Sequence, residues 1–137
     1  MRLKTSILFE CLLALTLVGC NATVLEERYE YSVLASVEVI EVPQSSHSDS
    51  LRVRLAGLLG ENTGYSFRQI FQQQTDTLVE LAVYATFVEE SGKTYEIRDI
   101  PYDTTFAVKL QQPRTSWYYF RIVASNGIFR DSSSIHQ

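Results

Sequence analysis

The sequence predicts an all-β fold, an antiparallel two-sheet sandwich of about seven or eight strands over residues 31–131. Runs dominated by Val, Ile, Leu, Tyr, Phe and Thr recur along this part of the chain, and Gly, Pro, Ser, Asn and Asp separate them about every ten residues. No stretch has a convincing helical period, since even residues 76–90 are rich in β-branched and aromatic residues. This number of short strands is typical of two packed sheets.

Two strands are predicted before the first glycine-containing turn. The first covers Tyr31–Val42 and ends before Pro43, because proline has no amide hydrogen to donate to a ladder. Its alternating apolar residues are predicted to share one face: Val33, Ala35, Val37 and Val39. The second covers Leu51–Leu58 and alternates between apolar and charged residues. Its predicted inward residues are Leu51, Val53 and Leu55, and its predicted water-facing residues are Arg52 and Arg54.

The next three strands are predicted to follow one another closely. The third covers Tyr65–Gln73 and carries Phe67 and Phe71. The fourth covers Leu78–Val88, and alternation predicts five core-facing residues: Val79, Leu81, Val83, Ala85 and Phe87. Residues 89–93 contain Ser-Gly and are predicted to close a hairpin onto the fifth strand, Thr94–Ile100, which Pro101 ends.

Three further strands complete the predicted sandwich: Thr104–Leu110, Trp117–Ser125 and Ile128–Asp131. Asn126-Gly127 is a strong hairpin signal, because both residues tolerate the positive φ of a type I′ turn. Residues 118–127 resemble the penultimate strand and turn of fibronectin type III domains. That resemblance implies an immunoglobulin-like sandwich in which four residues of the strand face the core: Tyr118, Phe120, Ile122 and Ala124.

The amino terminus carries a targeting signal. Arg2 and Lys4 precede an apolar region that ends in Leu17-Val18-Gly19-Cys20. This tetrapeptide resembles the lipobox of bacterial lipoproteins, and the resemblance implies cleavage before Cys20 and a diacylglycerol thioether on its sulfur. Residues 1–19 would then be a signal peptide, residues 20–30 an acylated tether and residues 132–137 a flexible tail.

Lipid attachment would fix the location of the protein in the cell envelope. Two or three acyl chains anchor a protein stably, because each buried methylene contributes about 0.8 kcal/mol. Asn21 follows the cysteine where some envelope proteins carry an Asp that retains them in the inner membrane. By that family rule, we expect the outer membrane in an organism that has one.

Composition excludes several functions. Removing residues 1–19 from the 137-residue chain leaves 118 residues, which suits one domain, and changes the net charge from −4 to −5 because Arg2, Lys4 and Glu10 are lost. This acidic balance argues against a nucleic-acid partner. Cys11 leaves with the signal peptide and Cys20 is committed to lipid, so the processed chain would have no disulfide, no thiol catalysis and no cysteine-ligated metal.

The titratable residues do not predict catalysis or a cofactor. His47 lies in a Ser-rich loop beside Ser48 and Asp49, and His136 is next to the chain end. Adjacency in a loop does not orient a catalytic triad, so a hydrolase is the least favoured hypothesis. Asp99 and Asp103 flank a Pro-containing turn, where a turn-capping role is favoured over a calcium site. We therefore expect no metal site.

Two groups of residues are candidates for binding. Asn62-Thr63-Gly64-Tyr65, with Pro113, Arg114 and Trp117 later in the chain, resembles the loops of chagasin-type cysteine-protease inhibitors, which insert into a protease cleft. Separately, alternation places Trp117 and Tyr119 opposite the core face, where aromatic residues often contact proteins or carbohydrates; packing near the end of the sandwich is the favoured alternative for these rings. The sequence favours a membrane-anchored, non-enzymatic envelope lipoprotein that binds a protein or a carbohydrate; the alternative is a lipoprotein protease inhibitor.

Overall fold

A computed structural model describes residues 26–136 as nine strands with no helix. The strands are β1 (Arg28–Leu34), β2 (Val39–Glu41), β3 (Ser45–Ser46), β4 (Ser50–Asn62), β5 (Tyr65–Thr75), β6 (Leu78–Glu90), β7 (Ile97–Lys109), β8 (Trp117–Ala124) and β9 (Gly127–Ile135). They form a sheet of six strands and a sheet of three, so the predicted all-β, two-sheet sandwich is confirmed. No helix within residues 26–136 could cross a membrane. The predicted signal peptide and the lipobox-like tetrapeptide ending in Cys20 lie outside the described residues.

Strand β6 is the centre of the larger sheet. Residues 78–87 pair with β5 on one side, while on the other side β8 pairs with residues 78–82 and β1 with residues 84–90. The β6–β8 and β3–β9 pairs are parallel, which differs from the wholly antiparallel sandwich that the sequence predicts. The chain leaves β6, joins the small sheet as β7 and returns as β8, so β6 and β8 run in the same direction.

The core lies between the two sheets and follows the predicted alternation in three strands. In β4, Leu51, Val53 and Leu55 are at most 1% exposed. The buried residues of the larger sheet come mainly from the centres of β6 and β8: Val79, Leu81, Val83, Ala85, Tyr118, Phe120, Ile122 and Ala124. Phe87, the fifth core-facing residue predicted in β6, is only partly buried because it lies near the end of the sandwich.

The first predicted strand is wrong in its middle, because the chain changes sheets there. β1 belongs to the large sheet and β2 to the small sheet, and residues 35–38 cross between them. Ala35 and Val37 are buried in the crossing, whereas Val39 is exposed rather than on their face. The crossing chain passes against Gly57, where a Cβ atom would overlap the Ser36 carbonyl oxygen.

The predicted hairpin between residues 78–88 and 94–100 is also wrong. β6 pairs with β1, β5 and β8, whereas β7 pairs with β4 in the other sheet. β7 continues through Pro101 instead of ending there. Proline is tolerated at this position because β7 is an edge strand and Pro101 pairs with Leu58 beside a shift in the β4–β7 register.

The last two strands form the predicted hairpin with a different turn. Ala124 pairs with Gly127, so the two turn residues are Ser125 and Asn126, and Asn126 does not adopt the positive φ of a type I′ turn. Instead, its side-chain amide binds the crossing segment: Nδ2 donates to the Val37 carbonyl at 2.8 Å, and Oδ1 accepts from the Val37 amide at 3.0 Å. These two hydrogen bonds therefore link the β8–β9 hairpin to the crossing segment.

Both ends of the domain extend past the predicted limits of 31 and 131. β1 begins at Arg28, inside the predicted tether. Residues 132–135, predicted to belong to a flexible tail, form the end of β9, where Ser133 and Ile135 are buried on the core face. Three consecutive serines suggest a tail by composition, but the strand places alternate residues against the core.

Candidate functional site

The outer face of the large sheet carries the two aromatic residues predicted for it. Trp117 and Tyr119 are 52% and 56% exposed, while their neighbours Tyr118 and Phe120 are 0% and 1% exposed. The difference follows from the strand, because successive side chains point to opposite faces. The division of β8 into a core face and an outer face agrees with the prediction from the sequence.

The strand register brings further apolar residues onto the same outer face. Tyr119 pairs with Leu78 of β6, which is 40% exposed. Four positions along, the register aligns four apolar residues, one from each of β5, β6, β8 and β9: Phe71, Ala82, Val123 and Ile128. Side chains of directly paired residues lie about 5 Å apart, so this row runs across the sheet without a polar interruption. We call the outer residues of β5, β6, β8 and β9 the aromatic face.

A charged row separates the aromatic pair from the apolar row. Arg121 Nη1 contacts Glu80 Oε2 at 3.0 Å, and Arg130 is paired directly opposite Arg121 across the β8–β9 ladder. Within residues 26–136, Arg130 forms no ion pair with a carboxylate. Like charges in directly opposed positions repel, so this row holds more positive charge than its single carboxylate balances. The aromatic face therefore combines exposed rings, an apolar row and one uncompensated guanidinium.

The outer face of the small sheet has different chemistry. Arg54 donates two hydrogen bonds to Asp103, at 2.8 and 2.7 Å, and a third to Glu41 at 2.8 Å. These bonds hold the pKa of the Asp103 carboxyl below its ordinary value. Both oxygens of Asp103 are occupied by the guanidinium, so the carboxyl pairs with Arg54 and does not join Asp99 in a calcium cage.

The turn at Asn62-Thr63-Gly64-Tyr65 is bound into the fold. Asn62 Oδ1 accepts from the Gly64 amide at 2.8 Å, and the Thr63 amide and hydroxyl bind the backbone of Glu96 at 3.0 and 3.1 Å. Gly64 is buried, and a Cβ atom there would lie 2.7 Å from the Phe87 ring. The Tyr65 ring packs on Phe87 with centroids 4.7 Å apart. These contacts give the turn a structural role.

The two loops that resemble protease inhibitors lie at opposite ends of the sandwich. Tyr65 pairs with Phe87 near one end of β6, whereas Tyr119 pairs with Leu78 at its other end, with Trp117 beyond it. At about 3.3 Å per residue, these pairs are about 30 Å apart. Arg114, in the second loop, forms an ion pair with Asp49 at 2.9 Å. The structure therefore does not bring the predicted inhibitory residues together.

His47 and His136 lie close to each other, but they are not arranged for catalysis. The rings of His47 and His136 lie 5.2 Å apart, and the His136 amide donates to the Ser46 carbonyl at 2.9 Å, so the backbone of residue 136 is hydrogen-bonded to the last residue of β3. The Ser48 hydroxyl accepts from the Ser50 amide, and Asp49 binds Arg114. Neither the serine nor the carboxylate is directed at the histidine in a triad arrangement.

Metal-ligating side chains are not clustered in the described part of the chain. No three His, Cys, Asp or Glu side chains within residues 26–136 are close enough to hold a metal ion. A cleft of about 360 Å³ opens beside the crossing segment, with Ser36, Glu61, Asn62 and Tyr65 among its lining residues. Its one carboxyl has no histidine or second carboxyl beside it in that lining.

Sequence reasoning identified Trp117 and Tyr119 but missed the rest of the aromatic face. Arg121 and Val123 continue the same period-two alternation along β8, which was available from the sequence. Phe71, Ala82 and Ile128 come from three other strands, and only the register shows that they are neighbours.

Comparison of the chain with family models, with curated proteins and with solved structures found no match.

Proposed function

We propose that this protein is a lipid-anchored lipoprotein of the cell envelope that binds a partner through its aromatic face and catalyses no reaction. The observation that carries the proposal is the exposed pair Trp117 and Tyr119 on one strand, beside exposed Leu78. Removing apolar surface from water yields about 25 cal/mol per Å², and a buried aromatic ring contributes 150–250 Å². Covering these rings with the surface of a partner therefore contributes favourably to the free energy of binding.

The contrast between the two outer faces supports the choice of surface. On the small-sheet face, Arg54 is already paired with both Asp103 and Glu41, although Arg52 forms no ion pair within residues 26–136. On the aromatic face the rings are uncovered, and Arg130 lies opposite a second arginine. Binding surfaces are enriched in Trp, Tyr and Arg, which are the residue types concentrated here.

The chemistry of the face specifies the kind of partner. Trp117 and Tyr119 suit an apolar or planar surface, such as a sugar ring or an aromatic side chain. Arg130 suits a carboxylate, because a guanidinium donates two parallel hydrogen bonds to it. We therefore expect an envelope protein or an envelope carbohydrate that presents a carboxylate beside an apolar surface, and the overall acidic charge argues against nucleic acid.

Lipid attachment at Cys20 is the second part of the proposal and rests on the sequence. Arg28, where β1 begins, lies eight positions after Cys20, so the domain would begin within about 28 Å of the acyl chains. Replacing Cys20 with serine should abolish incorporation of labelled fatty acid and release the protein from membranes. Unchanged labelling in the Cys20→Ser variant would contradict lipid attachment.

Binding is tested by substitutions that leave the core intact. The double variant Trp117→Ala with Tyr119→Ala should weaken partner binding at least tenfold, since truncating an aromatic anchor typically costs 2 kcal/mol or more. Tyr29→Ala is the matched control, because Tyr29 is 52% exposed but lies away from the aromatic face. Full-length variants would be cross-linked in envelope fractions, and the partner's yield compared. Equal losses in the control and the double variant would contradict the proposed surface.

A further inference from the structure

Strand β5 has one free edge. It spans Tyr65–Thr75 and pairs only with β6, and within residues 26–136 no strand covers its other side. Residues 69–75 read Gln-Ile-Phe-Gln-Gln-Gln-Thr, with no charge and no proline, and five of the seven are exposed. A long uncharged edge of this kind presents unpaired amides and carbonyls that another strand can join.

The other sheet edges carry features that block such pairing, and edge strand β1 carries the charged residues Arg28 and Glu30. At the far edge of the large sheet, short β3 covers the end of β9, and the Asp131 carboxylate accepts from the Ser132 amide at 2.7 Å. In the small sheet, edge strand β7 contains Pro101 and edge strand β2 has only three residues. Natural sheets use charge, proline and short strands to prevent edge pairing, and residues 69–75 have none of these.

The charged residues on either side of this segment have opposite signs, so they can form ion pairs between two copies of β5. Arg68 precedes the uncharged run and Asp76 follows it. If two copies of β5 pair in antiparallel orientation with Gln72 opposite Gln72, Arg68, at the register shift in β5, comes near Asp76 of the other copy, the first residue of the turn to β6. The two-fold axis would form this ion pair twice, whereas a register shifted in either direction separates the charges.

We propose that β5 is a self-association edge, through which two copies of this chain pair about a two-fold axis at Gln72. The axis is perpendicular to the sheet, so the two large sheets become continuous and both aromatic faces lie on the same side. The pair would present two partner-binding surfaces to one ligand, which strengthens binding through effective concentration. The self-association itself does not depend on lipid attachment or on the proposed partner.

The contact is small. Seven residues of paired strand extend about 24 Å, and an interface of this size falls in the weak or transient class. We therefore expect a dimer that forms at high local concentration, and a covalent trap is the appropriate measurement.

Cysteine substitution tests both the interface and its register. Directly opposed residues in an antiparallel pair have Cα atoms about 5 Å apart, within disulfide range. In the full chain under mild oxidation, Gln72→Cys should give a disulfide-linked dimer at least tenfold above Gln69→Cys. The control, Gln69→Cys, has the same residue type on the same strand but lies about 20 Å from its counterpart in the proposed register.

Three outcomes would overturn the proposal: no dimer at any position from 69 to 75, equal yields at 69 and 72, or cross-links only to a different protein. The cysteine substitutions at positions 69 to 75 are also tested in a chain that carries Cys11→Ser and Cys20→Ser. Dimers of the parent chain that vanish in this background would reveal a free native thiol and count against lipid attachment, not against strand pairing.

The proposed ion pair between Arg68 and Asp76 provides an independent test of the register. Arg68→Glu should lower the Gln72→Cys dimer yield about tenfold, because two attractive contacts become repulsive, while Arg68→Lys should preserve it. Equal yields in the Glu and Lys variants would contradict the proposed register.

Discussion

Replacing Asn126 with alanine should lower the free energy of unfolding by about 2 kcal/mol. The side chain makes two hydrogen bonds, at 2.8 and 3.0 Å, with the carbonyl and amide of Val37, which is 1% exposed. Leaving a buried backbone group unpaired costs about 1–3 kcal/mol. Asn126 itself is exposed, so water can reach part of the vacated space and offset some of the loss. The expected total therefore falls in the lower part of the range for two lost bonds.

Urea unfolding followed by circular dichroism measures this change as a shift in midpoint at constant slope. Ser125→Ala is the matched control, since it alters the neighbouring exposed turn residue while its backbone amide keeps its bond to the Ala35 carbonyl. The control should stay within about 0.5 kcal/mol of the parent. If Asn126→Ala also stays within that range, the side chain does not fasten the hairpin to the crossing segment.

Four further substitutions test the fold around the site. Ser133→Ala should raise the unfolding free energy by up to about 1 kcal/mol in urea titrations, because the Ser133 hydroxyl is fully buried and makes no hydrogen bond within residues 26–136. Gly57→Ala should lower the melting temperature, at a cost of about 3 kcal/mol, since its Cβ atom would overlap the Ser36 carbonyl. Burial raises the pKa of Tyr102 to about 12 from an ordinary 10.0. The unfolded state therefore ionises first, and the free energy of unfolding falls between pH 10 and 12. In alkaline unfolding, Tyr102→Phe should show a smaller fall in the free energy of unfolding over this range. The double variant Trp117→Ala with Tyr119→Ala should unfold within about 0.5 kcal/mol of the parent in urea, because both rings are more than half exposed.

Local alternation predicted the strands whose two faces differ in chemistry. β4 places charged residues between Leu51, Val53 and Leu55. In β8, residues 117–120 are all aromatic, but the charged Arg121 shares its face with Trp117 and Tyr119, which leaves the other face for the core. The outward direction of Trp117 and Tyr119 follows from the same period of two. This part of the candidate site was therefore predictable from the sequence.

Changes of sheet were not predictable, because they depend on contacts between distant segments. The alternation of residues 33–39 looks continuous, yet the chain crosses at Ser36, where Gly57 leaves room and the Tyr102 hydroxyl donates to the Ser36 carbonyl at 2.9 Å. The turn at residues 91–92 resembles a hairpin turn locally, but β7 instead joins β4. Assembly of Phe71 and Ile128 into the aromatic face depends on these long-range pairings.

Photo-cross-linking in living cells is the most direct test of partner binding through the aromatic face. A photoreactive amino acid would replace Tyr119, and in a parallel strain it would replace Arg52, an exposed residue of the small-sheet outer face. The account predicts a discrete adduct to one envelope protein or carbohydrate at position 119, weakened by Arg130→Ala, and none at position 52. No adduct at 119, or the same adduct at both positions, would contradict it.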